Sequence, residues 1–520
     1  MWGNIFLMKR KIISFFTLLA TSLTLSSCSF LELILGISSN TNTSSIYVPD
    51  PSEIGDGYYV PKSMEYKATD YDPAFSPSIG DVKILIIPIQ FKASVYTKTY
   101  TTLDYNIMNQ RYFSDDSDSL KTYYKNASHG QLNISGEVAK TYVTSLSSVT
   151  VNDYTNEDFS LFLTSVYDWT INNNPNIDFS QYDSDNDGYI DSVHFMTNLN
   201  ENAFNSLDSS GNLWPHMWYL NNDLRTDNKP SIDVYLCTSY GMINDTTAIH
   251  EQGHVFGVDD YYNYSESRAD YVGGADMQDL NCFDWNSYSK LLMDWVKPYV
   301  VDGSSDETTI TIKPASTSGD CILIPANHNT WNGSAYDEYL LIELFTNSGN
   351  NSPYWSNWTT TSYQYGLYGA TSLKEGGIRL YHVDSRLYGF NKISESTGYY
   401  VIRDGEYIDN PKTTPYRYVC LPQTNSKNNY DYTSFYVPSS KDYKLLSLIQ
   451  AGGINTFVTS SSHNALAYSD LFHTGDKFTM SKYSRYFIDN KFNNGESFPY
   501  EIDFNLVSEE KATITIRKIK

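Results

Sequence analysis

The segment Ala248–Asp260 carries the pattern H-E-x-x-H-x-x-G-x-x-D, which constrains this chain more than any other stretch. On a helix, positions i and i+4 lie on one face, so His250 and His254 can bind the same metal ion. Glu251 follows the first histidine, where a carboxylate can act as general base on a zinc-bound water. Gly257 is a residue type that ends helices and lets the chain turn back. The pattern therefore predicts a zinc site on a helix that ends near this glycine.

The third zinc ligand is predicted from the spacing after the helix. Asp260 stands where the extended form of the motif places a third histidine. Zinc accepts an aspartate oxygen at catalytic sites, so Asp260 is the favoured ligand. Other acidic residues nearby in the sequence remain alternatives, namely Asp259, Glu266, Asp270 and Asp276.

A surface helix with two solvated histidines is the competing interpretation of this motif. The flanking residues favour a helix that is capped and packed, extending from about Asp245 to Phe256. Asp245 and Thr246 are residue types that cap helix N-termini. Apolar side chains suited to packing against the rest of the protein are Ala248, Ile249, Val255 and Phe256.

The first 28 residues resemble a secretion signal of the lipoprotein type. A basic cluster at residues 9–11 precedes an apolar run from Ile12 to Leu25, and Leu25-Ser26-Ser27-Cys28 looks like a bacterial lipobox. In such signals the cysteine is lipidated, so we expect acyl chains on Cys28 to anchor the protein to the membrane. An uncleaved signal anchor is the alternative, because residues 30–37 are also largely apolar, although Glu32 interrupts them.

The charge balance bears on the class of partner. The chain has 36 basic and 60 acidic residues, a net charge of -24, and no basic cluster that would favour nucleic acid binding. An acidic surplus suits a protein outside the cell and raises the local concentration of cations. We therefore expect no nucleic acid partner.

The cysteines give little support to a cysteine-based site. The four that remain besides Cys28 have no C-x-x-C spacing, which favours isolated buried thiols, with one disulfide as the alternative. These four are Cys237, Cys282, Cys321 and Cys420.

Residue patterning predicts a tether and two domains. Residues 29–80 are rich in polar residues, glycine and proline, which is typical of a tether or short prosegment. Residues 81–300 alternate strands and helices, which predicts an α/β (α+β) domain, and because it contains the H-E-x-x-H motif we expect it to be the zinc metallopeptidase domain. Short alternating strands in residues 301–520 predict an all-β, sandwich-like module. Predicted strands are 82–91, 189–196, 232–238, 308–313, 338–345, 378–383 and 512–519, with a strand pair around Gly136 and helices at 118–127, 157–171 and 285–295.

An acidic loop, Asp183–Asp191, predicts a second cation site. Oxygen donors stand at alternate positions and glycine at the sixth, which is the spacing that wraps a chain around calcium. The twelfth position is His194 and not the glutamate of an EF-hand, so the loop is not a complete one. An acidic turn without metal is the alternative. The expected calcium ligands are Asp183, Asp185, Asp187, the backbone carbonyl of Tyr189, and Asp191.

Several stretches resemble the immune inhibitor A-type metallopeptidases of bacteria. Residues 250–262, H-E-Q-G-H-V-F-G-V-D-D-Y-Y, are similar to the H-E-x-G-H-x-x-G-x-x-D-x-Y signature of that family. The sequence departs from the family at Asp259, where proline is usual. Other similar stretches are 120–124, 128–132, the loop at Asp183, 213–216, 273–277, 288–290, 295–298, 338–343 and 377–384.

The resemblance implies roles for single residues. It supports Asp260 as the third zinc ligand and places Met277 in a methionine-containing turn beneath the metal. In peptide hydrolysis a donor side chain helps to stabilise the tetrahedral oxyanion, and Tyr262 and His216 are the candidates for that donor. For both residues, a buried and hydrogen-bonded structural role is the alternative.

The sequence thus leads us to expect a zinc endopeptidase anchored as a lipoprotein on the extracellular face of the cell membrane. Zn²⁺ and Ca²⁺ are the expected cofactors, and extracellular proteins or peptides the expected substrates. One alternative is a non-catalytic surface lipoprotein, an adhesin or binding module that retains a metallopeptidase fold. Another is a zinc hydrolase that acts on something other than protein. The intact motif disfavours the first alternative, and the family resemblance disfavours the second.

Overall fold

The structure is a computed structural model, and it describes part of the chain. The described residues are 58–59, 76–92, 100, 102–116, 119–146, 156–198, 215–220, 222–243, 246–262, 271–326, 331–358, 373–390, 392–394, 401–403, 406–408, 418–420, 425, 444–459 and 465–519. Cys28 and the rest of the predicted signal therefore lie outside the described residues, as do Asp245, Glu266 and Asp270.

The chain forms two compact units. The first comprises the described parts of Pro73–Lys125 and Leu132–Gly257, and the second comprises Tyr58–Tyr59, Asn126–Gln131 and the described parts of Val258–Lys520. The predicted domain boundary near residue 300 stays a prediction.

The first unit consists of a sheet and the helices on its faces. Strand β1, Tyr58–Tyr59, precedes it in the chain and belongs to the second unit. The elements that follow β1 are β2 Gly80–Gln90, α1 Thr102–Phe113, α2 Leu120–Ala127, β3 Leu132–Val138, β4 Tyr142–Val143, α3 Asn156–Asn173, β5 Ser192–Thr197, β6 His216–Tyr219, β7 Val234–Ser239 and α4 Thr247–Val255.

The sheet of the first unit has the order β3-β2-β5-β7-β6, with β4 paired to β2 beyond the end of β3. All of its pairings are parallel except that of β6 with β7. One face packs on α3, because alternate strand residues such as Leu85, Phe195 and Cys237 share a hydrophobic cluster with Leu163 and Tyr167 of that helix. The opposite face carries the other half of the strand side chains, including His194.

Pro88 lies inside the central strand β2, although proline cannot donate a hydrogen bond to a ladder. The pairing pattern explains why it is tolerated. Strand β3 ends opposite Ile86, and β4 begins opposite Ile89. The backbone of Ile86 and Gln90 faces this edge, since their carbonyls accept from Ala139 and Thr144. By alternation Pro88 faces the gap between the two strands, where no partner needs its missing N–H.

The predicted strand pair around Gly136 is wrong. Residues Leu132–Val138 form one continuous strand that runs parallel to β2 through the glycine. A Cβ atom at Gly136 would lie 2.0 Å from the carbonyl oxygen of Ile84 and 2.7 Å from the Phe113 ring. The glycine therefore marks a close approach of neighbouring backbone, and not a turn.

The second unit is richer in strands. Its helices after Val258 are α5 Met277–Leu280, α6 Ser287–Leu292, α7 Ala315–Ser318, α8 Ser352–Trp355 and α9 Thr456–Thr459. Its strands are β8 Tyr299–Val301, β9 Glu307–Ile312, β10 Cys321–Pro325, β11 Glu338–Phe345, β12 Gly377–Asp384, β13 Leu387–Phe390, β14 Lys392–Ser394, β15 Val401–Arg403, β16 Glu406–Ile408, β17 Tyr418–Cys420, β18 Leu446–Leu448, β19 Lys477–Phe478, β20 Tyr500–Val507 and β21 Ala512–Lys518.

Two sheets of the second unit share one hydrophobic core. The larger has the order β1-β8-β10-β11-β12-β18, and the smaller has the order β19-β20-β21-β9. Ile342 and Leu380 from the first sheet belong to the same buried cluster as Phe504 and Ile514 from the second. Burial of apolar side chains between the two sheets is the main stabilising contribution to such a layered structure.

The observed architecture is mixed α/β with several sheets, as expected from the residue patterning. Predicted helix 285–295 is shorter in the structure, at Ser287–Leu292. Cys237, Cys282 and Cys321 are buried and form no disulfide, as expected for isolated thiols. Within the described part of the chain, none of the helices combines the length and the apolar character that crossing a bilayer requires.

Candidate metal centre

Helix α4 carries the H-E-x-x-H motif. The residue before it, Thr246, is the N-cap, as predicted, and its carbonyl accepts from the His250 N–H at 3.0 Å, although its side chain makes no capping hydrogen bond. The C-terminal end follows the prediction. Gly257 adopts a φ of 87°, and its N–H donates to the His254 carbonyl at 2.8 Å. A left-handed conformation favours glycine, so the sequence ends the helix here and redirects the chain toward Asp260.

The two histidines of the motif converge with one aspartate. His250 Nε2 and His254 Nε2 lie 3.2 Å apart. One ligand atom from each of His250, His254 and Asp260 lies within 4.8 Å of the other two. All three residues come from one stretch of eleven residues, and each is at least nine-tenths buried. The structure therefore brings together the three predicted ligands as a group that can hold a metal ion.

The donor set fits zinc. Two nitrogens that each lie about 2.05 Å from a tetrahedral metal are about 3.3 Å apart, close to the spacing of the two ring nitrogens. Two imidazoles with one carboxylate are a usual catalytic zinc set, which keeps a position for water or substrate. The donor set by itself does not fix the identity of the metal, because Co²⁺ and other divalent ions accept the same ligands.

Burial of the helix contradicts the alternative of solvated surface histidines. His250 is 4% exposed, and Glu251 and His254 are each 8% exposed. The negative charge of Glu251 affects the pKa of a neighbouring side chain. Burial, followed by the Glu251 carboxylate, raises the pKa of the Cys237 thiol to about 12. Glu251 is therefore held in a setting where its charge is weakly screened.

The face of α4 opposite the ligands is fixed to the central sheet through Gln252. Its Oε1 lies 2.8 Å from His194 Nε2 and accepts a hydrogen bond from Ser192 Oγ at 2.8 Å. Gln252, His194 and Ser192 are all completely buried. Ser192 and His194 are on β5, which pairs with β2 on one side and β7 on the other. The helix that carries His250 and His254 is thus tied to the middle of the sheet.

The same contact fixes the protonation state of His194. Gln252 Oε1 is an acceptor, so His194 Nε2 carries the proton and donates it. Burial lowers the pKa of His194 to about 4, against which the bond to Gln252 has a smaller opposite effect. His194 is therefore a neutral imidazole at physiological pH, and its ring also packs edge-on against Tyr112 at 5.2 Å between centroids.

The segment after Gly257 is held by the turn that contains Met277. Tyr261 follows Asp260, and its N–H donates to the Gln278 carbonyl at 2.9 Å. Met277 is completely buried and is the first residue of α5. Asp276 caps this helix, because its carboxylate accepts hydrogen bonds from the N–H of Gln278 at 2.9 Å.

Asp276, an alternative third ligand in the sequence, has this structural role instead. Its other carboxylate oxygen accepts from the backbone N–H and side-chain amide of Asn286, both at 2.8 Å. Asp276 is also not a member of the metal-binding group found among the described residues. The role of Met277 beneath a bound metal stays a prediction.

The structure describes both predicted transition-state donors. His216 is on β6, with Nε2 3.2 Å from the Tyr235 hydroxyl and its ring edge-on to that tyrosine. Tyr262 is half-buried and directly follows Tyr261. Their predicted catalytic role remains a prediction.

The acidic loop is ordered around its own carboxylates. Asp183 accepts hydrogen bonds from the N–H groups of Asp187 and Gly188, at 3.0 and 3.1 Å. Asn186 and Gly188 adopt φ values of 62° and 95°, which allows the chain to fold back on itself. Carboxylate oxygens of Asp183, Asp185 and Asp187 lie within 4.8 Å of one another. Three of the predicted calcium ligands are thus brought together.

Asp191 is the buried member of this loop. Its Oδ1 accepts from the Ser184 N–H at 3.1 Å, and its Oδ2 has no hydrogen-bond partner among the described residues. Burial raises the pKa of Asp191 to about 7. A buried carboxylate with an unsatisfied oxygen is suited to a cation, which would supply the missing interaction. The backbone carbonyl of Tyr189 stays a predicted ligand.

Sequence reasoning missed the buried support of the metal helix. Ser192 and His194 alternate with apolar residues in the buried strand β5, and this polar face was the available signal. Gln252 stands between the two ligand histidines, two positions from each, and therefore on the opposite face of the helix.

Comparison with known proteins adds no relative. No protein-family model matches this chain, and no curated protein matches it significantly.

Proposed function

We propose that this chain is a zinc-dependent endopeptidase that hydrolyses peptide bonds of extracellular proteins. The observation that supports it most is the convergence of His250, His254 and Asp260, with the two ring nitrogens 3.2 Å apart. The adjacent Glu251 completes the H-E-x-x-H arrangement of residue types. The resemblance to the immune inhibitor A-type metallopeptidases supports peptides as the substrate class.

His250, His254 and Asp260 would hold the zinc ion, and these three ligands leave one coordination position for water or substrate. Zinc, when bound, supplies Lewis-acid polarisation and lowers the pKa of a coordinated water toward neutrality. The remaining tasks belong to residues of the chain.

Glu251 is the proposed general base. Its carboxylate takes the proton of the attacking water and later returns it to the nitrogen of the leaving amine. Glu251 is 8% exposed as a residue, so its charge is screened less than it would be in water. Tyr262 or His216 is the proposed donor to the developing oxyanion.

The proposed cellular setting follows from the N-terminal segment. Lipidation of Cys28 would anchor the chain at the outer face of the membrane. The part of the predicted tether that precedes strand β1 would hold the rest of the chain away from the membrane and leave the metal centre accessible to extracellular protein substrates.

A calcium ion in the acidic loop is the second proposed cofactor, with a structural role. The proposal is supported by the convergence of Asp183, Asp185 and Asp187 and by the unsatisfied buried oxygen of Asp191. Calcium accepts six to eight oxygen ligands, so water or backbone carbonyls would complete its shell.

The deciding experiment compares purified wild-type protein with the Glu251→Ala variant on an unfolded protein substrate. We expect the wild type to cleave and the variant to lose most activity while retaining zinc, because the metal ligands are intact. Glu375→Ala removes an exposed glutamate and serves as the matched control, which should cleave like the wild type.

The possible results distinguish an endopeptidase from a non-catalytic binding protein. If neither protein cleaves although both bind zinc, the peptidase proposal fails and a non-catalytic binding role takes its place. Cleavage by Glu251→Ala at the wild-type rate would show that another group is the base.

A further inference from the structure

We propose that Asn425 is a positioning residue for the metal ligand Asp260 and acts through the backbone of Tyr261. The inference rests on the proposed function, because it needs Asp260 to bind the metal. Asn425 lies 165 positions after Asp260 in the chain, and no sequence motif connects the two residues.

Tyr261 is held at three points directly after the ligand. Its N–H donates to the Gln278 carbonyl at 2.9 Å, its carbonyl accepts from Asn425 Nδ2 at 3.0 Å, and its hydroxyl lies 2.6 Å from Ser289 Oγ. Tyr261 is completely buried. The backbone that leaves Asp260 is therefore anchored by groups distant in sequence.

Asn425 is itself rigidly held. Its Nδ2 donates to the Leu446 carbonyl at 2.9 Å, and its Oδ1 accepts from the Leu446 N–H at 3.0 Å. The backbone N–H can only donate, so the oxygen and nitrogen of the Asn425 amide cannot be exchanged. Leu446 begins β18, which pairs with β12. Asn425 therefore links Tyr261 to the larger sheet of the second unit.

The amide makes three hydrogen bonds, and only one of them reaches the ligand segment. Its two bonds to Leu446 hold Asn425 against β18. Its single bond to Tyr261 does not contribute to holding that strand. Asn425 therefore fixes the backbone after Asp260 relative to the sheet that contains β18.

The connection matters because an aspartate ligand is short. With two side-chain torsions, the Asp260 carboxylate can move little unless its backbone moves. Metal–ligand distances are held within about 0.2 Å, so a small shift of this loop weakens binding. Loss of a group that orients a ligand typically costs about 10- to 100-fold in metal affinity.

The test measures zinc affinity of the purified protein by competition with a fluorescent zinc chelator. Asp260→Ala sets the affinity that remains without the third ligand. We expect Asn425→Ala to bind zinc about 10- to 100-fold more weakly than wild type. Asn425→Asp keeps the shape of the side chain but cannot donate to the Tyr261 carbonyl, so its affinity should also fall.

A matched control separates positioning from general destabilisation. Asn351 is a buried asparagine of the same unit, with Nδ2 3.2 Å from the Thr346 carbonyl and Oδ1 3.0 Å from the Asp284 N–H. Asn351→Ala should lower the melting temperature and leave the zinc affinity unchanged. As a second readout, Co²⁺ bound to Asn425→Ala should show an altered visible absorption, because that band reports ligand geometry.

The outcomes distinguish this inference from the proposed function. If Asp260→Ala binds zinc like wild type, the proposed metal site is wrong. If Asp260→Ala loses affinity but a folded Asn425→Ala does not, only the positioning role is overturned. It is also overturned if Asn351→Ala weakens zinc binding equally, or if neither Asn425 variant folds, because the residue then supports the whole unit.

Discussion

His194 and Gln252 are joined by a buried hydrogen bond of 2.8 Å between the imidazole Nε2 and the amide Oε1. The bond connects a strand in the middle of the sheet to the helix that carries His250, Glu251 and His254. Sites built on strands and helices are positioned more precisely than sites built on loops. Two of the three metal ligands therefore have a rigid support, and the third depends on the turn at Gly257.

Replacement of His194 should weaken metal binding. The change His194→Ala leaves a cavity and removes a donor from Gln252 Oε1, which frees the ligand face of α4 to rotate. We expect about 10-fold or greater loss of zinc affinity and a lower melting temperature. In His194→Gln an amide can donate to the same oxygen, so that variant should recover most of the affinity. Chelator competition and thermal unfolding measure both effects.

The control for this change is another histidine away from the motif. His473 stacks on Tyr468 with ring centroids 4.1 Å apart, and its Nε2 lies 3.0 Å from the Tyr468 carbonyl. His473→Ala should lower the melting temperature without an effect on zinc. A folded His194→Ala protein with wild-type affinity would show that the bond to Gln252 has no part in metal binding.

The buried imidazole also predicts how stability depends on pH. The folded pKa of His194 is lowered to about 4, whereas the unfolded chain has the ordinary value near 6.5. Between these values the unfolded state binds a proton that the folded state does not, so stability falls as the pH falls. The effect is absent above about pH 6.5 and amounts to on the order of 3 kcal/mol near pH 4.

Comparison of wild type with His194→Gln isolates this contribution. Both proteins are unfolded thermally in EDTA, so that loss of metal at low pH does not enter. From pH 7 to 4.5 the wild type should lose more of its melting temperature than the variant. Parallel losses would mean that His194 is already protonated in the folded protein, or that it is not buried.

The sequence predicted local features of the fold and site better than distant contacts. Strand Glu338–Phe345 has the predicted bounds because six of its eight buried residues are apolar and turn-forming residues flank it. The convergence of His250, His254 and Asp260 was predictable because helix periodicity and one glycine fix their spacing.

Contacts between distant segments were not predictable from the chain. The bond from Asn425 to Tyr261 spans 164 positions, and no periodic pattern encodes it. The sequence alone does not separate a turn at Gly136 from a strand, because glycine suits both turns and close backbone contacts. Only the position of Ile84 in the neighbouring strand decides between them.

Calcium should stabilise the protein through the acidic loop. At a concentration of about 100 times its dissociation constant, a ligand specific for the folded state adds about 2.7 kcal/mol. Calcium should therefore raise the melting temperature of wild type more than that of Asp185→Ala. Asp178, an exposed residue that caps the 3-10 helix Phe179–Tyr182 just before the loop, provides the control, and Asp178→Ala should respond like wild type. Equal shifts in Asp185→Ala and wild type, or none in either, would contradict calcium binding by this loop.

Substitution of Gly257 should separate backbone strain from metal binding. An L-residue in a left-handed conformation costs about 1–2 kcal/mol, and Gly257 has a φ of 87°. Gly130 has a similar φ of 80°, and a Cβ atom there would meet nothing within 4 Å. Gly257→Ala and Gly130→Ala should therefore both lower the melting temperature, because each alanine would have to adopt a left-handed φ. Only Gly257 lies between His254 and Asp260, so only Gly257→Ala should also weaken zinc binding, by about 10-fold. Equal zinc affinity in the two variants would show that the turn at Gly257 is not needed to direct the third ligand to the metal.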